Sequence, residues 1–260
     1  MRTAVDLEPL ARVAADVASD WCLELGPTFT RCRYSFVAPV SGNAVLKVSS
    51  TDDDESAQEA DALALWNGNG AVRLLRCDRR RRAMLLERAQ PGTDISELSE
   101  DEATAIAVEV GLRLWRPAAE PFAWIGDRVR GWLDETERSG RAGSALVPRA
   151  RDLYASLDVG RDVVVHGDLH HHNIVDAGDR YVAIDPKPML GEPEFDVPPF
   201  LWNPMPFELH IDTTERRLAA FAEAGLDDRR MRAWAVIRGA YLGADGHREQ
   251  VLRELVRGWS

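Results

Sequence analysis

The chain predicts an α+β fold in two lobes, a small mixed N-terminal lobe built on an antiparallel sheet and a larger, mainly helical C-terminal lobe. Three observations carry this. The first 88 residues contain several short apolar runs with strand spacing and only two amphipathic helical stretches. From Ser99 onward apolar residues recur at intervals of three and four, the helical period. Between them Arg88-Ala89-Gln90-Pro91-Gly92-Thr93 is a turn-forming stretch. The expected boundaries are therefore 1–88 for the first lobe, 89–93 for a hinge and 94–260 for the second lobe.

The first lobe opens with residues 4–19, where Val5, Leu10, Val13 and Val17 mark an amphipathic helix. Residues 28–37 alternate loosely and read as a strand. Pro39 to Asn43 reads as a turn and Ala44 to Ser49 as a second strand. In that second strand Ala44, Leu46 and Val48 share one face, while Val45 and Lys47 share the other. The acidic run Asp52-Asp53-Asp54-Glu55 suits a helix N-terminus, and the helix is stopped by Asn67-Gly68-Asn69-Gly70. On it Glu59 falls on the stripe of Ala62, Leu63 and Trp66. An inward carboxylate needs a partner, and Lys47 is available; Glu55, one turn earlier, is the rival. Strands at 71–76 and 83–87 flank the basic run Arg79–Arg82, which reads as a solvated hairpin turn.

In the second lobe Ser99 and Glu102 form a capping-box pattern ahead of Ala103, Ile106, Ala107, Val110 and Leu114. Helices follow near 126–139 and 145–157, then a short buried strand at 162–165. Residues 173–176 and 181–185 form a hairpin through Ala177-Gly178-Asp179. Beyond the proline-rich stretch 186–206, helices are expected near 212–224, 228–242 and 246–257.

Composition excludes several classes. A hydrophobic fraction of 45% with 29% charged residues is that of a globular chain, and no apolar run nears the roughly 20 residues of a membrane span. Net charge is −11, against nucleic acid as a partner and in keeping with a polar or cationic small molecule. Cys22, Cys32 and Cys77 show no metal-ligand spacing, and the N-terminus lacks a secretory pattern, so a reduced cytoplasmic setting is expected.

The densest signal is Val165-His166-Gly167-Asp168-Leu169-His170-His171-His172-Asn173-Ile174-Val175, followed by Val182-Ala183-Ile184-Asp185-Pro186-Lys187. A carboxylate and a carboxamide lie five residues apart on one loop, and a second carboxylate closes the next apolar run. Phosphoryl transfer from ATP uses this set: one Asp receives the proton of an acceptor hydroxyl, while an Asn and a second Asp hold magnesium. The order H-x-D-L-x-x-x-N and then a strand-end Asp is that of protein-kinase catalytic and metal loops. Gly167 in place of Arg and Pro186 after Asp185 point instead to kinases of small molecules. Three consecutive histidines cannot all face one ion from a regular element, so a zinc site is disfavoured.

These residues, with Ala183-Ile184-Asp185-Pro186-Lys187-Pro188 and Gly191-Glu192-Pro193-Glu194-Phe195-Asp196-Val197, resemble the aminoglycoside/hydroxyurea antibiotic resistance kinase family, which includes streptomycin phosphotransferases. The resemblance implies a protein-kinase-like bilobal fold and an ATP- and magnesium-dependent transfer to a hydroxyl of an aminoglycoside or hydroxyurea. By that resemblance Asp168 is catalytic, Asn173 and Asp185 hold the metal, and Lys47, paired with Glu59, meets the α- and β-phosphates. The Glu87 carbonyl and Ala89 amide meet adenine. His166 and Asp196 support the catalytic loop, and His170 and Glu194 are substrate-side candidates. Two rival readings stand beside this one: a kinase of a metabolite such as an amino sugar or amino alcohol, and a nucleotide-binding regulator without transfer activity.

Overall fold

A computed structural model describes residues 7–29, 34–51, 57–204 and 210–259. In chain order the elements are α1 (Glu8–Asp20), β1 (Ser35–Val40), β2 (Ala44–Ser49), α2 (Glu59–Trp66), β3 (Leu74–Asp78), β4 (Ala83–Glu87), α3 (Glu100–Leu114) and β5 (Arg116–Pro117). There follow α4 (Ile125–Ser139), α5 (Val147–Ser156), β6 (Val163–Val165), β7 (Ile174–Asp176), β8 (Tyr181–Ala183) and β9 (Met189–Gly191). The chain closes with α6 (Val197–Leu201), α7 (Ile211–Glu223), α8 (Asp228–Leu242) and α9 (Gly246–Leu255). It divides into two units, residues 1–93 with 175–187 and residues 94–174 with 188–260.

The first unit is an antiparallel sheet in the order β1-β2-β4-β3. The alternation read in β2 has a direct consequence: Ala44, Leu46 and Val48 join Phe36, Ala38 and Val40 of β1 against Ala14, Val17 and Ala18 of α1. Lys47 therefore leaves the opposite face of the sheet, beyond that core. Pro39 belongs to β1, opposite Val45, and not to the turn that its residue type suggests. β1 is an edge strand, and an edge position tolerates a residue with no N–H to donate. The strand starts only at Ser35, later than expected; residues 30–33 lie outside the described set, as do Cys32 and the acidic run with Glu55. α2 ends on Asn67 in the left-handed conformation, φ +46°, so the Asn-Gly punctuation is a true helix stop. The basic run forms the β3–β4 turn, where Arg79 chelates Asp61 and Arg81 pairs with Asp78 and Asp20. Residues 175–187 join this unit through Ala183, which bridges Ala71 and exchanges backbone bonds with Gly70 and Val72.

The second unit is helical around a small sheet, β5-β6-β9. The capping box at Ser99 and Glu102 is formed in both directions. α8 is buried nearly all round, from Met231 through Tyr241, and packs against α4, α5, α6, α7 and α9. A helix buried on nearly every side is a central one. Among the described residues no helix is long and apolar enough to cross a membrane.

Candidate active site

In the first unit the site is built on Lys47. Its Nζ lies 2.7 Å from both carboxylate oxygens of Glu59 and 2.5 Å from Oδ1 of Asp185. Lys47 and Glu59 are buried, whereas the Asp185 side chain is largely exposed. Burial by itself would strip the ammonium of its proton, but the two carboxylates outweigh it and hold Lys47 above its ordinary value. The helical stripe thus delivers Glu59 to Lys47. Asp185 adopts φ +55°, a conformation that a residue other than glycine keeps only when its surroundings impose it. Here the strand β8 fixes the preceding residues. At the end of β4, Glu87 receives Arg180 on Oε1 and the Arg73 N–H on Oε2, which ties the β8 hairpin to the sheet edge. Ala89 follows directly, ahead of Pro91.

In the second unit β6 carries the chain, buried from Val164 onward, into His166-Gly167-Asp168. Asp196 grips this loop. Its Oδ2 accepts the His166 N–H at 2.7 Å and the Trp115 indole N–H at 2.9 Å, and its Oδ1 accepts the Gly167 N–H at 2.7 Å. Burial pushes the Asp196 carboxyl up to about 6, against the pull of those three donors and of Arg238, which favour the charged form. Gly167 sits at φ +82°, where a side chain is strained.

Asp168 is three-quarters covered and partly open to solvent. Its N–H lies 3.3 Å from Nδ1 of buried His166, and its carbonyl accepts the Asn173 side-chain N–H at 2.9 Å. His170 caps the short helical turn 171–173, with Nδ1 accepting the His172 N–H, while its Nε2 lies 3.3 Å from Asn173 Nδ2 and 3.8 Å from Asp168 Oδ2. The remaining histidines have separate surroundings. His171 is buried and stacked on Phe200, with centroids 4.1 Å apart, and burial and nearby Arg217 pull it down to about 3. His172 pairs with Asp94 at 3.0 Å. Among the described residues no cluster of three or more His, Cys, Asp or Glu is arranged around one point as a metal would need.

Glu194 departs from its expected place. It is buried, and its Oε1 accepts the N–H of Asp227, the capping residue of α8. Burial raises its carboxyl above the usual range. Its neighbour Glu192 is committed likewise, to the guanidinium of Arg230 and the indole of Trp234. Both acids hold scaffold.

Sequence reading missed Arg238. This α8 arginine is buried, and it donates to the Gly167 carbonyl at 3.2 Å while its other terminal nitrogen lies 4.0 Å from Asp168 Oδ1. The signal was present: a lone charge inside Trp234-Ala235-Val236-Ile237-Arg238-Gly239-Ala240-Tyr241 has to meet a partner.

The structure thus gathers Lys47, Glu59 and Asp185 in one unit, and His166, Asp168, His170, Asn173 and Asp196 in the other. Comparison with known proteins identifies the family. Residues 21–249 match the aminoglycoside/hydroxyurea antibiotic resistance kinase family. The chain belongs to this family. It is similar to a streptomycin 3''-kinase from Klebsiella pneumoniae, 31% identical across 78% of this chain and 80% of that protein. It is also similar to a hydroxyurea phosphotransferase from Kitasatospora aureofaciens, 34% identical across 89% and 72%. A choline/ethanolamine kinase family protein from Mesorhizobium loti shares the fold, with a TM-score of 0.66, 13% identity and coverage of 97% and 95%. The chain is a small-molecule kinase with a protein-kinase-like fold, the α+β class its sequence predicts.

Proposed function

We propose that the chain transfers the γ-phosphoryl group of ATP to a hydroxyl of a small polar or cationic molecule, an aminoglycoside of the streptomycin type or hydroxyurea. The observation that carries this reading is the Asp168 loop, whose preceding amides are locked by Asp196 while its carboxylate stays open to solvent on one side. Asp168 orients the acceptor hydroxyl and takes its proton. The hydroxyl oxygen then bonds to the γ-phosphorus as the bond to the β–γ bridging oxygen breaks, and ADP leaves with that electron pair. Lys47, aligned by Glu59, serves the α- and β-phosphates, and the Glu87 carbonyl and Ala89 N–H serve adenine. His170, beside Asp168, steadies phosphate charge. His166 and Asp196 hold the loop.

Asn173 and Asp185 offer the hard oxygen donors that magnesium prefers, and the Asn173 nitrogen is already committed to the Asp168 carbonyl. Magnesium there would neutralise polyphosphate charge. The net charge of −11 favours arrival of a cationic acceptor. The two relatives named above act on streptomycin and on hydroxyurea, which makes these the first acceptors to try.

The test is acceptor-dependent release of ADP with ATP and magnesium, over streptomycin, hydroxyurea, amino sugars and amino alcohols, with the product checked by mass for one added phosphoryl group. Turnover is expected with streptomycin or hydroxyurea, falling about 10³-fold in Asp168→Asn, the range for loss of a general base. Turnover confined to an amino sugar or amino alcohol would move the acceptor assignment. ATP binding without turnover on any acceptor would leave a nucleotide-binding regulator as the better reading.

A further inference from the structure

Arg238 is a buried guanidinium that reaches the Gly167–Asp168 segment of the catalytic loop. Its position is fixed from three directions. The guanidinium carbon stands 4.8 Å from the Phe195 ring centroid, a cation–π distance. Phe195 in turn meets Trp234 edge-on at 5.0 Å, one turn earlier on α8. One terminal nitrogen binds the Gly167 carbonyl, and the other approaches Asp168 Oδ1 at 4.0 Å. The buried Nε–H has no hydrogen-bond partner among the described residues. A cation as deeply buried as this is expensive unless anions answer it. The anions at hand are Asp168 and, on the far side of Gly167, Asp196.

The arrangement is asymmetric in a useful way. Asp196 holds the amide of Gly167 and Arg238 holds its carbonyl, so the residue before Asp168 is gripped at both ends. At 4.0 Å the guanidinium is near enough to bias the Asp168 carboxylate and too far for a tight bond that would occupy it. His170 Nε2, at 3.8 Å, stands by the other carboxylate oxygen. We infer that Arg238 is a positioning residue for phosphoryl transfer, which aims the Asp168 carboxylate at the acceptor hydroxyl. This rests on the transferase reading given above. It assigns to α8 a part in the reaction beyond the packing role its apolar sequence suggests.

The test uses the intact chain and whichever acceptor shows turnover. Arg238→Gln keeps a donor for the Gly167 carbonyl and removes the charge; Arg238→Lys keeps the charge. The expected result is a kcat about 50-fold lower in Arg238→Gln, with KM for ATP within about twofold of wild type, the signature of an interaction that matters in the transition state. Arg238→Lys should recover at least a fifth of wild-type kcat. In an Asp168→Asn background Arg238→Gln should change the residual rate by less than twofold, because the arginine works through that carboxylate. Unchanged kcat in Arg238→Gln would overturn the inference, as would an undiminished fall in the Asp168→Asn background. If Arg238→Gln does not fold, Arg238→Lys decides: a folded lysine variant with less than a hundredth of wild-type kcat overturns it. These outcomes are separate from failure of the transferase reading, in which the wild type itself turns over no acceptor.

Discussion

Replacing Asp196 with Asn separates what the brace does for folding from what it does for turnover. The carboxylate is buried and its carboxyl stands at about 6, some two units above an ordinary aspartate. At pH 7 the fold therefore bears a burial penalty of about 3 kcal/mol, at 1.36 kcal/mol per unit, which the neutral amide escapes. Against that saving, the amide has one oxygen where the acid has two. Set at the Oδ2 position it keeps the His166 and Trp115 donors, and its NH2 then faces the Gly167 N–H. Leaving that buried donor unanswered costs about 1–3 kcal/mol. The two contributions nearly cancel, so stability should change by less than about 2 kcal/mol, or roughly 4–8 °C in Tm for a chain of this size. Turnover has no such compensation. Gly167 is released beside Asp168, and a displacement of about 1 Å at the reacting group lowers rates about 10²-fold. Steady-state kinetics with thermal melting would measure both. Wild-type kcat in a well-folded Asp196→Asn would refute the reasoning, and so would a melting temperature reduced by 15 °C or more.

The remaining predictions concern the ion cluster and pH. Lys47→Met leaves Glu59 buried without its cation, and breaking such a pair should destabilise by about 3–5 kcal/mol, seen as a lowered midpoint in urea. Nucleotide affinity should fall with it, measured by calorimetry. Two buried groups set opposite slopes below neutrality. His171 is held down to about 3, so the unfolded chain takes a proton that the fold refuses once pH drops below 6.5, and its contribution to stability is lost progressively from there to about pH 3. Asp196, held up to about 6, binds a proton in the fold before the unfolded chain does, so its contribution grows as pH falls from 6 to about 4. Each slope is about 1.4 kcal/mol per unit, and together they nearly cancel between pH 6 and 4. His171→Gln removes one of them, so its denaturation midpoint should rise relative to that of the wild type as pH falls through that window; a parallel response would reject the assignment. Over the same range kcat should fall with an apparent pKa near 6, because protonated Asp196 loses an acceptor for the loop amides. Removing divalent cations with EDTA should abolish turnover, and added magnesium should restore it.

The sequence carried those parts of the site that local periodicity fixes. Strand alternation alone separates Lys47 from the Leu46 core, and a spacing of three and four puts Glu59 on the buried stripe of α2. The Ser99 capping box and the helix stop at Asn67 are likewise local chemistry. What escaped depends on partners distant in the chain. β5 and β9 are too short to show a period, and they exist because β6 offers edges to pair with. Pro39 stays in a strand because β1 lies at a sheet edge. Glu194 looks like a ligand beside the metal loop, yet the N-terminus of α8, more than thirty residues later, claims it. Arg238 could have been suspected from its apolar setting, but its target lies 71 residues away.

The left-handed backbone at position 167 closes one route of change. Libraries that randomise this loop in search of new acceptors should keep glycine at that codon, since a side chain there costs about 1–3 kcal/mol of backbone strain before any selectivity is gained. Diversity is better spent on neighbours whose dihedral angles any amino acid adopts.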